Sequence, residues 1–368
     1  MEANVLTRPA PPVSPSTGPA RLTAESTRMF LEAGQASQVV ATQLGANAGR
    51  AHKIAERLRA NPPRAVVTCA RGSSDHAATF AKYLIETRTG VLTSSAALSV
   101  SSVYAAPQGL DDVLYLAISQ SGKSPDLLSA VQAAKDAGAF TIALVNDVNS
   151  PLAALADEVL PLHAGPELSV AATKSYIAAL AAIAQLVAAW TQDAELTAAL
   201  SSLPALLAEA WTLDWTPAVE QLKLARNLYV LGRGVGFGVA QEAALKFKET
   251  CGLHAEAFSA AEVLHGPMAL VKPGFPALVF AQNDESRESV DAVAKGLAER
   301  GADVLLAGAG GSSASLGGAG VLPALAAHPV VEPILMIQSF YRMANALSVA
   351  RGYDPDSPPH LNKVTETV

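Results

Sequence analysis

The sequence predicts an α/β protein built from two copies of one unit, each a parallel sheet with helices on both faces, a flavodoxin-like three-layer sandwich. Three observations point there. Half of the 368 residues are hydrophobic but only 5% are aromatic. Alanine, leucine and valine must therefore build the core, which suits close-packed layers of helix on sheet. Short strand-like runs alternate with longer helical patterns. The alternation then repeats with the same punctuation.

In chain order, "RAVVTCA" reads as a strand, followed by a helix from about Asp75 to Glu86. "VLYLAIS" reads as a strand, followed by a helix from about Pro125 to Ala137. "FTIALVN" and "EVLPLHA" are two more strands. Such βαβ alternation calls for right-handed crossovers. The apolar stretch "SYIAALAAIAQLVAAW" (Ser175 to Trp190) closes the unit. It is shorter than a full membrane span, is rich in alanine and starts beside Lys174, so a buried core helix is expected and no membrane partner.

The second copy follows a junction near "TQDAELTAALSSLPALLAEAWTLDW". "NLYVLGRGVGFGVAQEAALKFKETCG" echoes "AVVTCARGSSDHAATFAKYLIETRTG", with Arg71-Gly72 matched by Arg233-Gly234. "PALVFAQNDESRESVDAVAKGLAERGADVLLAG" echoes "DVLYLAISQSGKSPDLLSAVQAAKDAGAFTIALVN". The expected division is a disordered lead-in at 1–25, a first domain at 26–200, a second at 210–355 and a tail at 356–368 that closes the site. The lead-in carries five prolines and no apolar signal-peptide core.

A net charge of −7 and a pI near 5.5 argue against non-specific nucleic-acid binding. The two cysteines, Cys69 and Cys251, both lie inside periodic segments. That suits a reduced, cytoplasmic protein with small buried thiols.

Three helix starts in the first copy carry small hydroxyl residues: Ser73-Ser74 in "ARGSSDH", Ser119 to Ser124 in "SQSGKSP", and Thr173 in "VAATKS". Ligands of open parallel sheets bind where strands end and helices begin. Exposed helix N–H groups and nearby hydroxyl donors make an anion site, and a phosphate monoester fits it. A single Ser-Pro start is ordinarily only a cap, but three in one half-chain favour a site. In the second copy "AQNDES" places acids where the first has hydroxyls, so one site is expected to be kept and the other lost. No Walker pattern occurs. "GRGVGFG" and "GAGGSSASLGGAG" read as close-packing turns or flexible loops rather than dinucleotide sites.

"SQSGKSPD", "VAATKS", "EAALKFKE" and "HAEAFSAAEVLHGPMAL" resemble the isomerase half of glucosamine-6-phosphate synthase, a tandem sugar-isomerase (SIS) domain. "MFLEAGQASQVV" resembles the segment leading into that half. The resemblance covers roughly Met29 to the C-terminus. It implies that Ser73, Ser74, Ser119, Gln120, Ser121 and Ser124 hold the phosphate of a hexose phosphate, with Val170 and Ala172 along the sugar's path. The family synthase also carries an N-terminal glutaminase domain with a nucleophilic cysteine. This sequence shows neither, so it is not expected to release ammonia from glutamine. Lys123 stands where the synthase has an acidic residue. Lys363 in "PPHLNKVTETV" keeps the place of a tail lysine, flanked by His360 and Asn362.

Glu242, Lys246 and Glu249 fall at i, i+4 and i+7, one stripe of a helix. A lone E-x-x-x-K pair usually marks an exposed, salt-bridged face. Here the helix opens from a glycine-rich strand end, and His254, Glu256, Glu262 and His265 follow, which favours a site. Proton transfer between C1 and C2 of an aminosugar phosphate needs a base above that bond, and a buried carboxylate suits it. The resemblance gives that role to Glu249, with Lys246 near the enolate-like oxygen, His265 for ring opening and Lys363 among the catalytic residues. It also implies a homodimer in which His265 reaches across the interface. Glu262 and His254 are weaker candidates. No cofactor or metal is expected.

The reaction expected is deamination of glucosamine 6-phosphate to fructose 6-phosphate and ammonia. Alternatives within the enzyme class are a galactosamine-6-phosphate deaminase, a fructosamine or fructoselysine 6-phosphate deglycase, and an isomerase of an unaminated sugar phosphate. Outside it stands a phosphosugar-sensing module, which ordinarily pairs with a basic helix-turn-helix that this sequence does not offer.

Overall fold

The computed structural model describes residues 22–311 and 320–363. The first sheet holds β1 (Ala65–Cys69), β2 (Thr93–Ser95), β3 (Val113–Ser119), β4 (Phe140–Val145) and β5 (Glu158–Pro161). The second holds β6 (Asn227–Gly232), β7 (His254–Ser259), β8 (Pro276–Phe280), β9 (Asp303–Ala307) and β10 (Gly320–Leu322). Their orders are β2-β1-β3-β4-β5 and β10-β9-β8-β6-β7, and every pairing is parallel. Adding five to each strand number of the first sheet gives the second, so the duplication read in the sequence is a duplication of topology.

Parallel strands covered on both faces are continuously apolar, and β3 is buried at all positions. Leu114, Leu116, Ile118, Ile142 and Leu144 point into the largest core, among the helices Ala36–Ala60, Ser73–Thr89 and Lys174–Thr191. Val113, Tyr115, Ala117, Ala143 and Val145 point the other way, onto the helix Pro125–Asp136. The second sheet divides likewise. Leu228, Val230, Leu278 and Phe280 enter the same large core, and Leu231, Val279 and Leu306 pack against Val290, Ala294 and Leu297 of the helix Arg287–Glu299. The two units thus share one central helical layer.

The helix Lys174–Thr191 is apolar enough to cross a membrane by length and composition, but it lies inside this layer, buried along most of its length. "GRGVGFG" is a close-packing turn, as its sequence suggested. A Cβ on Gly238 would stand 2.5 Å from the His76 carbonyl oxygen and 3.0 Å from the Phe80 nitrogen. The helix Gly236–Cys251 can therefore press directly against Ser73–Thr89.

Four elements differ from expectation. The short strands β2 and β10 are not legible as separate runs. The helix after β1 starts at Ser73 and continues to Thr89. "HAEAFS", for which no strand is expected, forms β7 beside β6. The sequence readings that fall on residues 1–21, 312–319 and 364–368 lie outside the described residues.

Candidate active site

The chain leaves β1 in one direction and β3 in the other, because β1 sits between β2 and β3. Such a switch point is where an open parallel sheet leaves a crevice. Gly72, with φ of +56°, turns the chain from β1 into the helix that begins at Ser73. Beyond β3, Gly122 has φ of +63° and a Cβ there would lie 2.2 Å from Ser150 Oγ. Only glycine fits both the conformation and the space. Ser119 Oγ accepts from the Gly122 N–H at 3.0 Å. Ser124 occupies the N-cap position before Pro125 but makes no capping bond, so its hydroxyl is not consumed by the helix.

Ser73, Ser74, Ser119, Gln120, Ser121 and Ser124 line one cavity of about 350 Å³. Val170, Ala172, Glu249 and Lys363 line it too. Every expected phosphate-loop and sugar-path residue is thus brought together. Arg71 also lines it, anchored through Nε and Nη2 to Asp126 Oδ2 at 3.0 and 2.9 Å. Sequence reasoning used Arg71 only to mark the repeat. Its place immediately before the turn glycine was the available signal.

Behind this wall lies a buried polar cluster that joins the two units. Lys246 Nζ donates to Ser73 Oγ at 3.0 Å, lies 3.3 Å from Glu242 Oε1 and pairs closely with Glu249. Glu242 also accepts from Ser73 Oγ (3.2 Å) and the Tyr341 hydroxyl (3.0 Å), and its Oε2 lies 3.1 Å from His76 Nδ1. Burial alone would push the Glu242 carboxyl up, but Lys246, His76 and Ser73 outweigh it and hold it below the usual carboxylate range. Burial would likewise lower Lys246, but Glu242 and Glu249 hold it above the usual lysine value. Both groups are therefore charged at neutral pH. The stripe Glu242, Lys246, Glu249 is no solvated face. Its first two members are fully buried and the third faces the cavity.

Lys246 differs from expectation in one respect. It does not line the cavity; it contacts two residues that do, Ser73 and Glu249. Sequence reasoning also missed His76 and Tyr341, which belong to the cluster because two separate helices converge on Glu242.

The tail closes over the cavity with Leu361, Asn362 and Lys363. Lys363 Nζ donates to the Ser169 carbonyl at 2.8 Å and lies 3.4 Å from Glu167 Oε2. His265 is exposed and does not line this cavity within one chain; His254 and Glu262 are exposed as well, and away from it. Cys69 and Cys251 are buried free thiols, each pushed by burial up to about 12, so neither offers a nucleophile near neutral pH.

Comparison with known proteins agrees with this architecture. The SIS-domain model matches residues 61–189 and 221–315. Glutamine–fructose-6-phosphate aminotransferase (isomerizing) of Aeropyrum pernix is 36% identical over 310 residues, which are 79% of this chain and 49% of that protein. The chain spans about half the length of the curated relatives it matches. Among solved structures, a Silicibacter pomeroyi DSS-3 protein provisionally described as a phosphosugar isomerase is 42% identical, with a TM-score of 0.85 over 90% of this chain and 100% of that one. The C-terminal domain of glucosamine-fructose-6-phosphate aminotransferase from Francisella tularensis is 26% identical, with a TM-score of 0.82 over 90% and 98%. Two matched segments on two parallel sheets, in a chain homologous to the isomerase half of that aminotransferase, place this protein in the SIS-domain family.

Proposed function

We propose that this protein is an aminosugar-phosphate deaminase that converts glucosamine 6-phosphate to fructose 6-phosphate and ammonia. The carrying observation is that Glu249 and six phosphate-loop side chains line one cavity, with a buried lysine behind Glu249 to hold it in place. The hydroxyls and Arg71 bind the phosphate dianion. Glu249 takes the proton from C2 of the open-chain aldehyde and returns one to C1, while the C1 oxygen gains a proton and the C2 amine gives one up, which leaves a hydroxyl at C1 and an imine at C2. Water adds to that imine, and ammonia leaves to give the ketone. A carboxylate beside a lysine is a suitable shuttle because it returns the proton it accepts. His265 opens the pyranose ring from a second copy of the chain. A phosphorylated substrate and two buried free thiols suit a cytoplasmic setting.

The test is to incubate the protein with glucosamine, galactosamine and mannosamine 6-phosphates, fructose 6-phosphate and fructoselysine 6-phosphate, and to measure ammonia and the sugar products. Ammonia released from glucosamine 6-phosphate, in step with fructose 6-phosphate, is expected. Ketose–aldose conversion without ammonia would make it an isomerase of unaminated sugars. Free lysine from the adduct would make it a deglycase, and saturable binding with no turnover would make it a sensor.

A further inference from the structure

Two buried carboxylates meet the loop that carries Val170 and Ala172, and neither belongs to the acid–base cluster. Glu32, from the short helix Arg28–Ala33, accepts from the Leu168 and Ser169 N–H groups. Glu167, 4% exposed, accepts from the Thr173 and Ser175 N–H groups at 3.0 and 3.1 Å and from the Ser175 hydroxyl. Those donors are neutral. The cation beside Glu167 is Lys363, whose amine bridges this carboxylate and the Ser169 carbonyl. The same tail is pinned upstream, where Asp356 caps the helix Arg28–Ala33 through the Arg28 and Met29 N–H groups at 2.7 and 2.8 Å. Tail, helix and loop thus form a closed ring of hydrogen bonds, and tail and loop each reach the cavity through Lys363 and through Val170 and Ala172.

We propose that Glu167 is a positioning residue that seats the Lys363 amine and holds the C-terminal tail over the cavity. The inference rests on reading that cavity as the sugar-phosphate site, and it deepens that reading. A buried carboxylate is costly without a cation. When the tail lifts, Glu167 keeps its three neutral donors but loses its cation, so pairing favours the closed tail. Glu167 lies seven positions before Lys174 and touches no lining hydroxyl of the phosphate loop. Its effect on the tail therefore passes through Lys363.

The experiment uses the full chain and does not depend on turnover. Wild type, Glu167→Asp and Glu167→Gln are treated with limiting acetic anhydride, and acetylation of Lys363 is followed by mass spectrometry against the exposed Lys295. Glutamine can still accept from the Thr173 and Ser175 N–H groups but cannot pair with an ammonium. One charge-assisted bond lost corresponds to roughly tenfold or more. Lys363 in Glu167→Gln should therefore be acetylated about tenfold faster than in wild type, with Lys295 unchanged and Glu167→Asp intermediate. An unchanged Lys363 rate in a folded Glu167→Gln variant would overturn the proposal and leave Glu167 as a staple of its own loop. If Glu167→Gln does not fold, Lys363→Gln serves instead, with hydrogen exchange of residues 354–363 as the readout. Faster exchange confined to the tail supports the seat, and wild-type protection sinks it. Failure of the deaminase reading would leave either outcome readable.

Discussion

At the scale of single residues, the site depends on one lysine shared by two carboxylates. Glu242 is fully buried and has donors from three directions. Glu249 sits at the cavity wall and is tied mainly to Lys246. The two acids therefore differ in accessibility as well as in charge environment. Glu242 anchors the lysine, and Glu249 can receive a proton from a ligand. Replacing Glu249 with glutamine preserves size and removes proton-accepting ability. Glu249→Gln should bind glucosamine 6-phosphate with nearly unchanged affinity, measured by calorimetry. Its kcat should fall by roughly 10²–10⁴-fold, the usual share of general acid–base catalysis. Comparable turnover would reduce Glu249 to a partner of Lys246 and send the search for the base elsewhere.

At the scale of elements, the phosphate loop shows how much the sequence discloses. The strand "VLYLAIS" and the helix beginning at Pro125 are legible because both punctuation and period are local. The hydroxyls of "SQSGKSP" are legible as a loop for the same reason. Edge strands β2 and β10 are three residues each and rest on partners distant in sequence, so no local period marks them. The contact of Ser73 with Glu242 and Lys246 was likewise hidden. It depends on Gly238 letting two helices approach, a long-range fact that a glycine-rich stretch only hints at. Arg71 and Glu167 were present as letters, but their partners Asp126 and Lys363 lie far along the chain. Within the loop, Gly122 carries a definite prediction. An added methyl would meet Ser150 Oγ at 2.2 Å and Val145 Cγ2 at 2.9 Å, at a positive φ. Gly122→Ala should destabilise the protein by more than about 1 kcal/mol in urea unfolding. By displacing the backbone between Ser121 and Ser124 it should raise KM for the sugar phosphate at least about tenfold, the scale of one lost charge-assisted bond. Unchanged KM would place the phosphate elsewhere.

At the scale of the whole molecule, one shared core makes the site a product of both units. The first supplies the hydroxyl loops and the second supplies Glu242, Lys246 and Glu249. One expected participant is still missing from it. His265 is exposed on a turn with Leu264 and Leu270, themselves 55% and 63% exposed, and exposed apolar side chains around a polar one suit an interface. On our reading a second copy places its His265 at this cavity, and a two-fold dimer then completes two sites at once. Complementation tests this directly. Glu249→Gln and His265→Asn chains are each made inactive, then co-expressed with different tags. With His265 acting across the interface, a mixed dimer has one site with both groups intact and one with both altered. Random assembly makes half of the dimers mixed, so the preparation should recover roughly one quarter of wild-type activity. Isolating mixed dimers through both tags should raise this to about half. A histidine acting within its own chain would leave every site with one altered group. Activity in the doubly tagged dimers no higher than in either single variant would therefore return His265 to its own subunit.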